Sequence, residues 1–356
     1  MSQVLIIAEA GVNHGGSLED AIRLVDAAAD AGADAVKFQS YRTEMLVRPG
    51  TPQAAYQARN APAASQVDML RALELSAAAH RSIKEHCDRR DITFLSTAFD
   101  PPSLELLLDL GVPRLKVASG ELTNGPMLLE MARSGLPLIV STGMADLTEI
   151  ADALAVIAVG RSDPAGNPTT PVLHEARRSV LADPSVVDDV TLLHCTSRYP
   201  APDSSVNLRS MEAIAETFGL PVGYSDHTTG LPVPLAATAL GATVIEKHLT
   251  LDRSMPGPDH LASADPTQFA ALVEGVRSIE RALGRREKEP DPGEHELRRV
   301  ARRGLVTTRD LTPSTPIRPG DLMALRPAEG LPPSSVWEMI GRSPSRTYAE
   351  GETFEG

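Results

Sequence analysis

The sequence predicts a (β/α)8 barrel followed by a small β-rich unit. Three observations carry this expectation. Up to residue 284, short β-branched runs alternate with longer segments of helical periodicity, and eight such pairs can be traced. Polar residues gather at the carboxyl ends of the runs, where parallel barrels place their chemistry. Beyond a charged stretch the chain turns to short runs separated by turns. The expected domains are therefore a barrel over 1–284, a linker over 285–299 and a β-rich unit over 300–356.

Val4–Ala10 reads as the first strand and Leu18–Ala31 as the first helix, with Ser17 placed to cap it. Ala35–Tyr41 follows, then a long loop and a helix ending near Arg90. Ile92–Phe99 leads into Pro102–Leu110, Arg114–Ser119 into Pro126–Ser134, and Leu138–Ser141 into Leu147–Val159. Val190–Thr196 precedes Leu208–Phe218, Val222–Ser225 precedes Pro234–Leu240, and Val244–Lys247 precedes Pro266–Leu283. Two connections exceed ordinary barrel loops. Arg42–Gln66 carries Tyr56, Gln57 and Asn60 and is expected to lie over the barrel mouth as a lid. Gly160–Asp189, rich in Pro, Asp and Ser, is expected as a surface insertion on the opposite face. Pro290 and Pro292 sit among charges and suggest a linker. Gly304–Thr308 and Thr315–Arg318 are the expected strands of the tail, which has too little core to be more than marginally stable alone.

Composition narrows the function. A net charge of -13 argues against nucleic acid or anionic lipid as the main partner. The opening MSQVLIIAEAG lacks a basic n-region and enters a strand at once, unlike a signal peptide, and no apolar run approaches a membrane span. Cys87 and Cys195 offer no disulfide framework, which fits a reducing cytoplasm. An anionic substrate would need positive charge gathered locally in so acidic a chain.

Residues at the strand ends meet that need. Lys37 and Lys116 interrupt apolar runs and should be buried, where each requires a counter-charge. Paired with Glu9 or Glu121 they would be structural. Lying among Thr97, Ser119, Ser141 and Ser225, they look instead like a cradle for a phosphorylated carboxylate. His227 ends one run and His248 the next, with a helical segment between. In a parallel sheet those ends point the same way, so the two imidazoles can converge on one ion. His194, inside TLLHC, reads as a packed imidazole, and His80 and His86 as solvated helix residues.

The motifs AEAGVNHGGS, VKFQSY, FLSTAFD, LKVASGE, STGM, LLHCTSRYPAP, GYSDHT, EKHLTLD and PGPDHLAS occur in that order. In this they resemble the sialic acid synthases, the family making N-acetylneuraminate and related nonulosonates. The tail RRGLVTTRDLTPSTPIRPGDLMALRP resembles their antifreeze-like SAF domain. The resemblance implies a TIM barrel that condenses phosphoenolpyruvate with an open-chain N-acetylmannosamine-type sugar and releases phosphate. A legionaminate- or pseudaminate-type synthase, acting on a 2,4-diacetamido-trideoxy hexose, is the alternative. By position, His227 and His248 match ligands of a divalent metal, usually manganese, with magnesium or cobalt as alternatives. Lys37, Thr97, Lys116, Ser119, Ser141, Ser197 and Ser225 match phosphoenolpyruvate contacts. Glu9, Asn60, Tyr199, Asp259 and Arg326 match residues at the sugar, and Glu9 and Glu121 are the carboxylates available to act on water. A domain-swapped homodimer is also implied, in which Arg326 reaches a neighbouring barrel.

Two rival readings are weaker. Condensation with a phosphorylated aldose needs a second phosphate site and gives the tail no use. Ice or carbohydrate binding by the tail wants a flat, weakly polar face, whereas the tail carries Arg302, Arg303, Arg309, Arg318 and Arg326.

Overall fold

The computed structural model describes residues 3–356. The chain divides into two compact units, Met1–Gly284 and Arg285–Gly356. In the first, eight parallel strands close a barrel: β1 (Leu5–Gly11), β2 (Ala35–Ser40), β3 (Thr93–Ala98), β4 (Leu115–Val117), β5 (Leu138–Ser141), β6 (Val190–Cys195), β7 (Val222–Asp226) and β8 (Val244–His248). β8 pairs back onto β1, with Glu9 opposite His248.

Alternation along each strand builds the interior. Ile7, Ala35, Leu95, Ile139, Leu193 and Val244 form an apolar plug inside the barrel. Two residues further on, the inward position turns polar: Glu9, Lys37, Thr97, Ser141, Cys195 and Glu246 respectively. The plug fills one end and the polar ring opens on the other. At Gly223 a side chain would fall 2.6 Å from the Val244 carbonyl and 2.7 Å from Leu193, so only glycine lets β7 enter this packing. Outward residues, including Ile6, Ala8, Val36, Phe38 and Val140, pack under the helices in the main core.

The helices start on sequence signals. Ser17 Oγ accepts from Asp20 N at 3.2 Å, and Asp100 accepts from Ser103 N at 2.8 Å ahead of two prolines in the first turn. Asp146 and Glu149 form a reciprocal capping box.

Several elements differ from expectation. The fourth strand is only Leu115–Val117, because the chain tightens into a 3-10 turn at Ser119–Glu121. The long loop after β2 holds two short helices, Thr43–Leu46 and Ala55–Asn60. The 160–189 stretch holds the helix Thr170–Ala182, started by Pro171 and joined to the helix Leu147–Ser162 through Arg177 and Asp152 at 3.0 Å. His80 is buried rather than solvated, its Nε2 2.8 Å from Ser40 Oγ.

In the second unit the charged stretch expected as linker contains the helix Glu294–Ala301, begun just after Pro292 and stabilised by Glu294 accepting from Asp291 N. Ala328 N donates to the Arg299 carbonyl, tying that helix to the tail. β9 (Gly304–Thr307) pairs antiparallel with β10 (Leu322–Leu325). Thr315–Arg318 is not a strand; Ile317 instead enters the small core with Leu305, Leu311, Leu322, Tyr348 and Phe354. Arg309 clasps Asp321 with two parallel bonds of 2.7 and 2.6 Å.

Candidate active site

A cavity of about 370 Å3 opens at the carboxyl ends of the barrel strands. Its floor is a ladder of alternating charges. Lys37 forms a close ion pair with Glu9 and lies 3.8 Å from Glu246, and Lys116 lies 3.6 Å from the other oxygen of Glu246. All four are buried. Both lysines are buried, as their apolar runs imply, and their counter-charges are Glu9 and Glu246. Glu246 stands two residues before His248 at the end of the eighth strand. Only barrel closure sets it between two lysines from strands far away in sequence.

Burial governs the titration of this floor. It raises the Glu9 carboxyl, an effect that Lys37 opposes and Glu246 reinforces. Glu246 suffers the same desolvation, yet Lys116 and Lys37 outweigh it and hold its carboxyl below the usual range. Lys37 is pulled down by burial and raised overall by Glu246 and Glu9. Lys116 moves the other way: burial and the neighbouring Lys37 lower it despite Glu246. Lys116 is the less compensated cation, which makes its end of the floor the better anion site.

Hydroxyls line that end. Lys116 Nζ donates to Ser141 Oγ at 2.6 Å, and Lys37 Nζ donates to Thr97 Oγ1 at 3.3 Å. Gly143 N donates to Ser119 Oγ at 3.1 Å. Each hydroxyl thus accepts from the protein, and those of Ser141 and Thr97 keep their own protons for a ligand. Ser225 differs, donating to Glu246 at 3.0 Å. Ser197 lines the same wall.

The opposite wall carries the histidines, with ring centroids 5.5 Å apart. His227 Nδ1 meets the Thr196 carbonyl at 2.8 Å, so that nitrogen bears the proton and Nε2 keeps a lone pair. His248 Nδ1 is buried without a hydrogen-bond partner among the described residues. Burial lowers the pKa of both rings, keeping them neutral as metal ligands must be. These features fit a divalent ion held by two imidazoles. Among the described residues, no three His, Cys, Asp or Glu side chains converge on a metal position.

Aromatic residues close this wall. Tyr199 lies 4.2 Å from His227, centroid to centroid, and edge-on to His248 at 5.8 Å. Tyr56, from the long loop after β2, lines the cavity beside it. Asn60 does not line the cavity; its Nδ2 donates to the Pro258 carbonyl at 3.0 Å, anchoring that loop next to Asp259. Burial, with Glu9 nearby, raises Asp259 to about 7.

Another expected site residue of the barrel unit departs from expectation. Glu121 is absent from the cavity lining; the 3-10 turn after β4 directs its carboxylate to Asn124 Nδ2 at 2.6 Å. Arg326 is an exposed residue of the second unit, just after β10. Cys195, taken from sequence only as a sign of a reducing compartment, lines the cavity with its Sγ 3.1 Å from Ser119 Oγ. Its place at the inward end of β6 was the available signal.

Comparison with known proteins agrees with this geometry. The N,N'-diacetyllegionaminic acid synthase of Legionella pneumophila is 45% identical over 98% of this chain and 92% of its own length. The enzyme of the same name from Campylobacter jejuni is 40% identical over 99% of each chain. Human N-acetylneuraminate-9-phosphate synthase is 31% identical over 98% of this chain and 90% of its own. Among solved structures, the N-acetylneuraminic acid synthetase of Leptospira borgpetersenii matches with a TM-score of 0.67 at 35% identity, covering 83% of this chain and 90% of that one. The NeuB family model matches residues 24–288, a span holding both lysines, both histidines and every barrel strand after the first, and the chain belongs to that family.

Proposed function

We propose that this chain condenses phosphoenolpyruvate with the open-chain aldehyde of an N-acetylated amino sugar, taking up water and releasing phosphate. It is a transferase that makes a nonulosonic acid. The observation that carries this reading is the charge ladder Glu9–Lys37–Glu246–Lys116 lying across one cavity from His227 and His248. An anion and an electrophile can thereby sit side by side. The acceptor is a 2,4-diacetamido-trideoxy hexose of the legionaminate type, supported by two N,N'-diacetyllegionaminic acid synthases at 45% and 40% identity. N-acetylmannosamine is the second reading, supported by the Leptospira structure at 35% identity.

Lys116, Ser141, Ser119 and Thr97 hold the phosphate and carboxylate of phosphoenolpyruvate. His227 and His248 hold a divalent ion, manganese or one of its neighbours in chemistry, which when bound polarises the sugar aldehyde. Tyr199 and Asp259 orient the sugar against that wall. The enol carbon attacks the aldehyde carbon, whose oxygen takes a proton from the water-filled cavity and becomes a hydroxyl, leaving an oxocarbenium centre at the carbon bearing phosphate. Water then adds to the carbon bearing phosphate, giving up its proton to Glu9, whose carboxylate faces the cavity and accepts from Gln39 at 3.1 Å. The tetrahedral centre collapses to a keto acid as phosphate leaves with the bridging oxygen.

The second unit acts in a homodimer, where the exposed Arg326 of one chain completes the sugar site of the other. No helix among the described residues is long and apolar enough to cross a membrane. Cys87 and Cys195 are both free thiols, as a reducing cytoplasm keeps them. The test incubates the protein and a divalent metal with phosphoenolpyruvate and each candidate sugar, then weighs the products. A nonulosonic acid formed fastest from the 2,4-diacetamido sugar is expected; phosphate release without a new carbon–carbon bond overturns the reading.

A further inference from the structure

Gly143 lies in a tight corner of the anion wall. A side chain there would fall 2.4 Å from Ser197 Oγ and 2.7 Å from both Cys195 Sγ and Ser119 Oγ, so three side chains from two loops and a strand end converge on its α-carbon. Its amide donates to Ser119 Oγ, which occupies one lone pair of that hydroxyl. The Cys195 sulfur is 3.1 Å from the same oxygen. Cys195 is buried, lines the cavity and has Lys116 nearby, while burial raises the thiol above its ordinary value. A protonated thiol can donate. If it donates to Ser119, both lone pairs of that hydroxyl are taken and its proton is left for whatever anion occupies the cavity.

We propose that Cys195 is a positioning residue: its S–H, together with Gly143 N–H, fixes Ser119 Oγ as a donor toward the bound anion. Resting on the phosphoenolpyruvate reading above, this assigns the thiol to binding that substrate rather than to redox chemistry or nucleophilic attack. Ser141 and Thr97 are fixed by the same logic, but with lysine ammonium groups as the donors behind them. At Ser119 a thiol serves because a third cation so near Lys116 would cost more than it returned in so buried a floor. The sulfur, larger than a hydroxyl oxygen, also fills the corner against Gly143.

Cys195→Ala and Cys195→Ser are compared with wild type by steady-state kinetics, varying phosphoenolpyruvate and sugar in turn. Cys195→Ala should raise KM for phosphoenolpyruvate about three- to tenfold, the scale of one neutral hydrogen bond, with KM for the sugar unchanged. Cys195→Ser restores a donor and should recover most of the loss. In a Ser119→Ala background the same cysteine change should have no further effect, a result that mere loss of packing would not give. An unchanged KM in Cys195→Ala overturns the proposal, as does failure of serine to rescue it or an undiminished penalty without Ser119. If wild type itself fails to consume phosphoenolpyruvate with any sugar, the reading of the reaction has failed instead.

Discussion

Tyr56 stacks on Tyr199, with ring centroids 5.3 Å apart and planes 21° apart, so a residue of the long loop after β2 backs the ring that covers His227. Among the described residues the Tyr56 hydroxyl has only Gln57 Nε2 at 3.4 Å as a partner, so the ring face carries the contact. An offset aromatic pair contributes about 0.5–1.5 kcal/mol beyond its burial. Tyr56→Phe should therefore be nearly silent. Tyr56→Ala should lower kcat/KM for the sugar roughly tenfold and leave KM for phosphoenolpyruvate alone. Equal effects on both substrates would remove this loop from sugar binding.

The paired histidines make a prediction about metal. His227→Ala and His248→Ala should each abolish turnover while thermal unfolding stays close to wild type, because both rings lie at the cavity end of the barrel rather than in its apolar plug. Isothermal titration with manganese should show one site per chain in wild type and none in either variant. Full activity after exhaustive chelation contradicts the assignment.

Asp259 gives a pH dependence with a definite sign. Its folded-state value of about 7 lies above the 3.8 of an ordinary aspartate, because the carboxyl is buried and faces Glu9. The folded protein therefore binds that proton more tightly than the unfolded chain does. The resulting stabilisation is complete below about pH 4 and is lost as pH rises through about 7, by up to about 4 kcal/mol. In chelator, urea unfolding at pH 5 and pH 8 should show a smaller fall in stability for Asp259→Asn than for wild type. Identical pH dependence in the two proteins would sink the claim.

Arg326 tests the dimer. His248→Ala and Arg326→Ala chains are each expected to be inactive. Mixed under conditions of subunit exchange, they form dimers with one doubly defective site and one intact site, and part of the activity should return. Demonstrated exchange with no activity means that the tail does not act across the dimer.

The barrel was legible because its strands are buried on both faces and read as short apolar runs, and because period-two alternation exposes the point where each inward residue turns polar. Lys37, Lys116, His227 and His248 stand out in that pattern as polar residues at apolar strand ends. What escaped depends on closure or on local turns. Glu246 gains its meaning from β8 standing near β2 and β4 across the barrel interior, which no local pattern encodes. Glu121 follows Ser119 closely in sequence, yet the 3-10 turn sends the two side chains to different partners. Cys195 looked inert until a glycine corner and a serine hydroxyl were brought against it. In the tail, Ile317 imitates a strand residue although it serves as a core contact, and the charges of 294–301 hid a helix.

The fate of the water oxygen tests the central claim most directly. Turnover is run in heavy-oxygen water, and both products are weighed promptly. The proposed chemistry adds water at the carbon bearing phosphate and expels phosphate with its bridging oxygen. The label should therefore enter the keto acid at that carbon, and the phosphate should carry none. Label in the phosphate, with no heavy oxygen entering the sugar product during turnover, would mean attack at phosphorus and would contradict the proposed condensation.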